Sequence, residues 1–148
     1  IYTILFGRQR QMCIRDRALL RAELAAAESW QAGTGTSAGC NLAGRTPVVQ
    51  VVVQGQRITY SIGTAPSAIW RGKVLMRCGP AYGLEGELSS GAAQNRVVLD
   101  GLAPPPQGLQ VVEEAPGLLR LRLKQEMPLR GGAVLPITLE MGAQAPAS

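Results

Sequence analysis

An alternation of polar and apolar residues with a period of two constrains this fold more than any other feature of its sequence. Val48–Val53 is a run rich in β-branched residues, and Arg57–Ile62 places Ile58, Tyr60 and Ile62 at every second position. Side chains two residues apart share one face of a strand, and β-branched residues favour strands. With Gln54–Gln56 as the turn between them, the two segments predict a β-hairpin.

Similar segments recur towards the C-terminus, and 18 glycines and 10 prolines supply the turns between them. Pro136 indicates an edge strand, because proline cannot donate a ladder hydrogen bond. We therefore expect about six or seven antiparallel strands in all. The further strands are predicted at Ile69–Cys78, Asn95–Leu99, Leu109–Val112, Leu118–Leu123 and Val134–Leu139.

A helix is predicted before the first strand, over Arg17–Gln31, because strong helix formers fill it without Gly or Pro. Leu20, Leu24 and Ala27 form one apolar stripe. Leu19, Arg21 and Glu23 fall outside that stripe. The predicted fold class is α+β, with an amphipathic helix (residues 18–32) packed on an antiparallel sheet. Tyr60 and Trp70 are expected to bury the largest surfaces of this packing.

Residues 1–17 differ from the rest and are interpreted as non-native sequence. Apolar residues come first and arginines follow, the reverse of a secretory signal. The run from Gln11 to Arg17 resembles a translated sequencing adapter. A targeting signal or membrane anchor would then be missing from the chain. The remainder is expected to be a globular β-rich domain (residues 33–142) with a flexible tail (residues 143–148).

The basic charge of the chain is concentrated in this first segment. The formal net charge is +5 at pH 7. Four arginines and one aspartate give residues 1–17 a net +3, so +2 remains for the rest of the chain. The remaining domain is close to neutral, and we expect no nucleic-acid partner.

Residues that could support catalysis are scarce. The chain has no histidine, which excludes serine or cysteine nucleophiles activated by histidine. The close carboxylate pairs, Glu85/Glu87 and Glu113/Glu114, lie in a glycine-rich loop and next to a turn, as solvated side chains do. The sequence therefore predicts no catalytic residues, no metal site and no cofactor, and a protein that is not an enzyme.

Two cysteines, Cys40 and Cys78, remain once Cys13 is set aside with the first segment. Neither belongs to a CxxC motif, which argues against zinc binding or thioredoxin-like redox chemistry. The residues alone leave two alternatives open, a disulfide bond or two buried free thiols.

Three segments together resemble a known family. They are ALLRAELAAAESW (residues 18–30), RITYSIGTAPSAIWR (residues 57–71) and NRVVLDG (residues 95–101). Their order is similar to that of the soluble part of minor pilins of type IV pili and pseudopilins of type II secretion systems, nearest the PilW-like and GspJ-like group. On this resemblance the chain lacks the family's N-terminal membrane half-helix.

The resemblance implies a structural subunit that works through contacts with other pilin or pseudopilin subunits. A missing N-terminal helix would anchor the precursor in the inner membrane, and the mature protein would join a periplasmic or surface filament. The resemblance also favours the disulfide between Cys40 and Cys78. The alternative is a secreted β-sandwich binding module or a fimbrial subunit of the chaperone–usher type.

Overall fold

The structure is a computed structural model that describes residues 17–33 and 40–146. One helix, α1, covers residues 17–26 of this part. A short 3₁₀ turn at Arg130–Gly132 lies between the last two strands. The eight strands are β1 (Ser29–Ala32), β2 (Thr46–Val53), β3 (Gln56–Thr64), β4 (Lys73–Gly79), β5 (Gln94–Leu102), β6 (Leu109–Ala115), β7 (Leu118–Pro128) and β8 (Val134–Gln144).

The strands form one curled antiparallel sheet. Its order is β1-β2-β3-β4-β5-β7-β6, and β8 pairs along the other edge of β7. The chain beyond β8 comes back to β1, where the backbone N–H of Trp30 donates to Pro146 O at 3.2 Å. The indole N–H of Trp30 donates to Ala145 O at 2.7 Å. Trp30 therefore joins the first strand to the C-terminal end of the last.

The inner face of the curl carries the main core. Alternate residues of β2 and β3, such as Val49, Val51, Ile58 and Tyr60, are buried there. Residues of β4 to β8 complete the same cluster, together with the helix residues Leu20, Leu24 and Ala27. The patterns that predicted strands thus correspond to real inward-facing rows.

The outer face of β4 and β5 carries a smaller cluster. Val74, Met76 and Val97 are buried there, with Ala65 and Trp70 packed against them. The helix therefore covers the inner face of the central sheet, and the loop that carries Trp70 covers its outer face. This explains why β4 is buried along nearly its whole length.

The predicted fold class is wrong. The described chain is mostly β, with one short helix and an eight-stranded curled sheet, rather than a helix packed on a sheet. The helix stops at residue 26, and Ser29–Ala32 is a strand that pairs with β2. Intrinsic helix propensity is a weak preference, and pairing of β1 with β2 together with burial of Trp30 overrides it here.

Two strand predictions also need correction. The segment Ile69–Cys78 is extended only from Lys73, because Gly72 adopts a left-handed φ of 57°. The described part of the chain contains eight strands, whereas six or seven were predicted. Residues 1–16, which carry most of the predicted non-native segment, and residues 147–148 of the predicted tail lie outside the described residues.

Candidate functional site

A buried ion pair joins the helix to the sheet. The guanidinium of Arg77 on β4 donates to both carboxylate oxygens of Glu23, from Nε and Nη2, each at 2.8 Å. The Glu23 side chain is fully buried and that of Arg77 is 4% exposed. Two parallel hydrogen bonds of this kind fix both position and orientation.

Two tyrosines complete the shell of Glu23. The hydroxyl of Tyr60 donates to Oε1, and that of Tyr82 donates to Oε2 at 2.6 Å. Arg77 also donates to Pro80 O at 2.9 Å, and its guanidinium lies 5.4 Å from the centre of the Tyr82 ring. The carboxylate therefore accepts four hydrogen bonds, which offset the cost of burying it.

The cluster shifts the ionisation of its members. Burial raises the pKa of Tyr60 well above its usual value, and the negative charge of Glu23 raises it further. The same two causes raise the pKa of Tyr82. Burial alone would lower the pKa of Arg77, but the hydrogen bond and charge of Glu23 outweigh it, so that pKa rises. Both phenols therefore keep their protons to a higher pH than free tyrosine does.

This arrangement is better suited to holding the helix against the sheet than to catalysis. Each oxygen of Glu23 already accepts two hydrogen bonds, so no acceptor is left for a substrate proton. The cluster was not predicted from the sequence because Glu23 lies outside the apolar stripe. Its spacing offered a signal, since Glu23 lies three residues after Leu20 and so shares a helix face with it.

An apolar surface lies at the far end of the β7–β8 hairpin. On β8 the core-facing row runs from Ala143 and Met141, which are buried, through Leu139 and Ile137, which are partly buried, to Leu135, which is 47% exposed. The row is apolar throughout, yet the core no longer covers it near the turn.

The facing strand and the turn add to this surface. Met127 pairs with Leu135 and is partly exposed, and Leu129 at the turn is 49% exposed. We call Met127, Leu129, Leu135 and Ile137 the apolar hairpin end. Exposed contiguous apolar surface is typical of contact sites between proteins.

The opposite face of the hairpin is charged but largely neutralised. Arg120 pairs with Glu114 at 2.8 Å and with Glu140 at 3.3 Å, while Arg122 pairs with Glu140 at 2.9 Å. These pairs are exposed and add little stability. They do neutralise the positive charges of Arg120 and Arg122 on this face.

The predicted disulfide is present. Cys40 and Cys78 are joined, with their Cα atoms 5.9 Å apart. The bond fastens the segment after α1 and β1 to the outer face of β4. An open groove of about 610 Å³ lies beside it, between the turn at residues 41–45 and the loop at residues 64–70.

The residues predicted to dock the helix divide between two faces. Leu20, Leu24, Ala27 and Tyr60 are buried in the main core. Trp70 lies instead on the outer face, half-buried against the smaller cluster, where it lines the groove. The structure therefore brings four of the five together and separates Trp70 from them.

Within residues 17–33 and 40–146, no helix is long and apolar enough to cross a membrane. The same residues contain no group of three or more side chains placed to hold a metal ion. Comparison of the chain with protein-family models, with curated proteins and with solved structures gives no match.

Proposed function

We propose that this chain is the globular part of a structural subunit of a bacterial cell-envelope filament, of the minor-pilin or pseudopilin kind. Its work is to bind neighbouring subunits, with the apolar hairpin end as a contact surface. The observation that carries the proposal is the apolar row on β8, which continues past the core and reaches solvent at Leu135.

Two further features support this function. A disulfide between Cys40 and Cys78 suits an oxidising compartment such as the periplasm. The buried Glu23–Arg77 pair fixes the helix to the sheet with a defined orientation. A rigid fold of this kind would present the apolar hairpin end to neighbouring subunits in one defined orientation.

The proposal is tested by substituting residues of the apolar hairpin end in the full-length protein made from its native gene. Leu129→Ser with Leu135→Ser should abolish co-purification with the other filament subunits. Leu84→Ser with Ile69→Ser is the matched control, because Leu84 and Ile69 are also exposed apolar residues but lie elsewhere. The proposal fails if both double variants still assemble, or if the native protein is released as a monomer that binds no subunit.

A secreted binding module is the second candidate function. The groove beside the disulfide favours it, since its volume lies within the range of small-ligand sites. The upstream sequence of the native gene separates the two candidates. An apolar segment of about 20 residues supports the filament subunit, whereas a cleavable signal peptide supports the secreted module.

A further inference from the structure

The groove on the outer face contains a buried arginine that has no acidic partner among the described residues. Arg45 is 9% exposed and lines the groove. It forms no ion pair with any residue of 17–33 or 40–146, and its Nη2 donates a long hydrogen bond to Asn41 O at 3.4 Å. Its Nε is buried without a hydrogen-bond partner.

Such a side chain is unfavourable for stability alone. A buried cation normally has a carboxylate partner, as Arg77 has in the core of this same chain. Leaving a buried polar atom unpaired also costs free energy. Groups that reduce stability in this way are frequent at functional sites, where a ligand supplies the missing partner.

The surrounding backbone holds Arg45 in this position. Arg45 N–H donates to Leu42 O at 2.9 Å and closes a tight turn in which Ala43 and Gly44 have φ of 48° and 82°. The arginine stem then crosses Gly63 on β3. A Cβ at Gly63 would lie 2.8 Å from Cγ of Arg45, so the glycine makes room for this stem.

The loop that carries Trp70, which also lines the groove, is held by hydrogen bonds as well. Arg71 N–H donates to Oδ2 of Asp100 at 3.1 Å, and Gly101 N–H donates to Arg71 O at 2.6 Å. These bonds fix the end of the loop that carries Trp70. The groove is therefore lined by two residues whose backbone positions are fixed, Arg45 and Trp70.

The remaining lining residues indicate the kind of ligand. Met76 and Val97 form an apolar floor, and none of the described lining residues is acidic. Asn41 and Asn95 add side-chain amides, and Thr64 adds a hydroxyl. A guanidinium binds carboxylate, amides bind hydroxyls, and an aromatic ring packs against the apolar face of a ring-shaped ligand.

We infer that this groove binds an acidic sugar, with the carboxylate on Arg45 and the sugar ring against Trp70. The site is distinct from the apolar hairpin end and does not depend on the proposed filament function. A carboxylate would supply the negative counter-charge that Arg45 lacks. The side-chain amides of the asparagines and the hydroxyl of Thr64 would bind the hydroxyl groups of the sugar ring.

The test is a titration of the ¹⁵N-labelled protein with sodium glucuronate, followed by NMR. Saturable shifts are expected at the Trp70 indole N–H and at the amides of Asn41 and Asn95. Glucose, which lacks the carboxylate, should bind at least about tenfold more weakly, since one charge-assisted pair is lost. Sodium acetate, which lacks the ring, should give no saturable shift at Trp70.

Arg45→Gln should weaken glucuronate binding at least about tenfold while leaving the protein as stable as the parent or more so. Gly63→Ala, which displaces the arginine stem without changing any charge, should also weaken binding. The inference is overturned if glucuronate causes no saturable shift in the groove, or if Arg45→Gln binds as well as the parent. Equal affinity for glucose, or acetate shifts that match those of glucuronate, would equally exclude an acidic-sugar site.

Discussion

Glu23 and Arg77 form a buried ion pair through two hydrogen bonds of 2.8 Å each, and they are 54 residues apart in the sequence. The pair joins the helix to the middle of the sheet. Both phenols that donate to Glu23 come from other parts of the chain, one on β3 and one in the loop after β4. This cluster links the local elements into one folded unit.

Glu23→Gln should strongly destabilise the fold, because it leaves the charge of Arg77 buried without compensation. We expect a loss of roughly 3 kcal/mol or more in the free energy of unfolding, measured by urea denaturation. Glu140→Gln is the matched control, since Glu140 pairs with Arg122 on the surface. That variant should lose less than about 1 kcal/mol. Equal losses in the two variants would contradict the structural role of the buried pair.

The stability of the protein should fall above about pH 10, because the pKa values of Tyr60 and Tyr82 are raised in the folded state. In the unfolded chain these phenols ionise near their usual value of about 10. Below that pH both states keep the protons and the stability is complete. Above it the unfolded state releases them first, so stability declines as pH rises.

Urea denaturation between pH 8 and pH 11 measures this effect, and the Tyr60→Phe, Tyr82→Phe double variant is the comparison. The parent should lose stability more steeply, by up to about 1.4 kcal/mol per pH unit for each tyrosine. Identical pH dependence in parent and variant would show that the two phenols do not carry raised pKa values.

The Cys40–Cys78 disulfide should contribute about 4 kcal/mol in the chain-entropy model, given its sequence separation of 38. Cys40→Ser with Cys78→Ser should therefore lower the melting temperature substantially. Alkylation of the unfolded chain gives a direct readout of the bond itself. One of the three cysteines should react without reductant and all three after reduction. Three reactive thiols without reductant would exclude the bond.

The C-terminal end should be needed for stability because it supplies partners to Trp30. Ala145 is buried, accepts from the Trp30 indole at 2.7 Å and donates its N–H to Gly117 O at 2.9 Å. Removing residues 145–148 should cost at least about 1–3 kcal/mol. Removing residues 147–148 alone is the control and should cost little. If both truncations are equally stable in urea, Trp30 does not depend on this contact.

The elements predicted best from the sequence are those that depend only on residues close together in the chain. The β2–β3 hairpin follows from alternation and from the turn predicted at Gln54–Gln56, which need no distant partner. The end of the helix could not be found in this way. Trp30 leaves the helix because its partners lie in β2 and, 115 residues away, at Ala145.

The groove could not be predicted from sequence patterns either. Arg45 and Trp70 belong to separate loops, and nothing in their spacing brings them together. Gly63 reads as an ordinary strand residue until the arginine stem is seen to cross it. Trp70 was expected in the main core because of its size, yet the half-buried indole lies on the other face of the sheet.

Site-specific cross-linking in the full-length protein in its native cells decides whether the apolar hairpin end is the proposed contact surface for other subunits. A photo-reactive amino acid replaces Leu135 in the full-length protein, and a second variant carries it at Leu84, which is fully exposed elsewhere. Cross-links to a neighbouring subunit are expected from position 135 and none from position 84. A protein that forms no subunit cross-link from position 135, while folding normally, would contradict it.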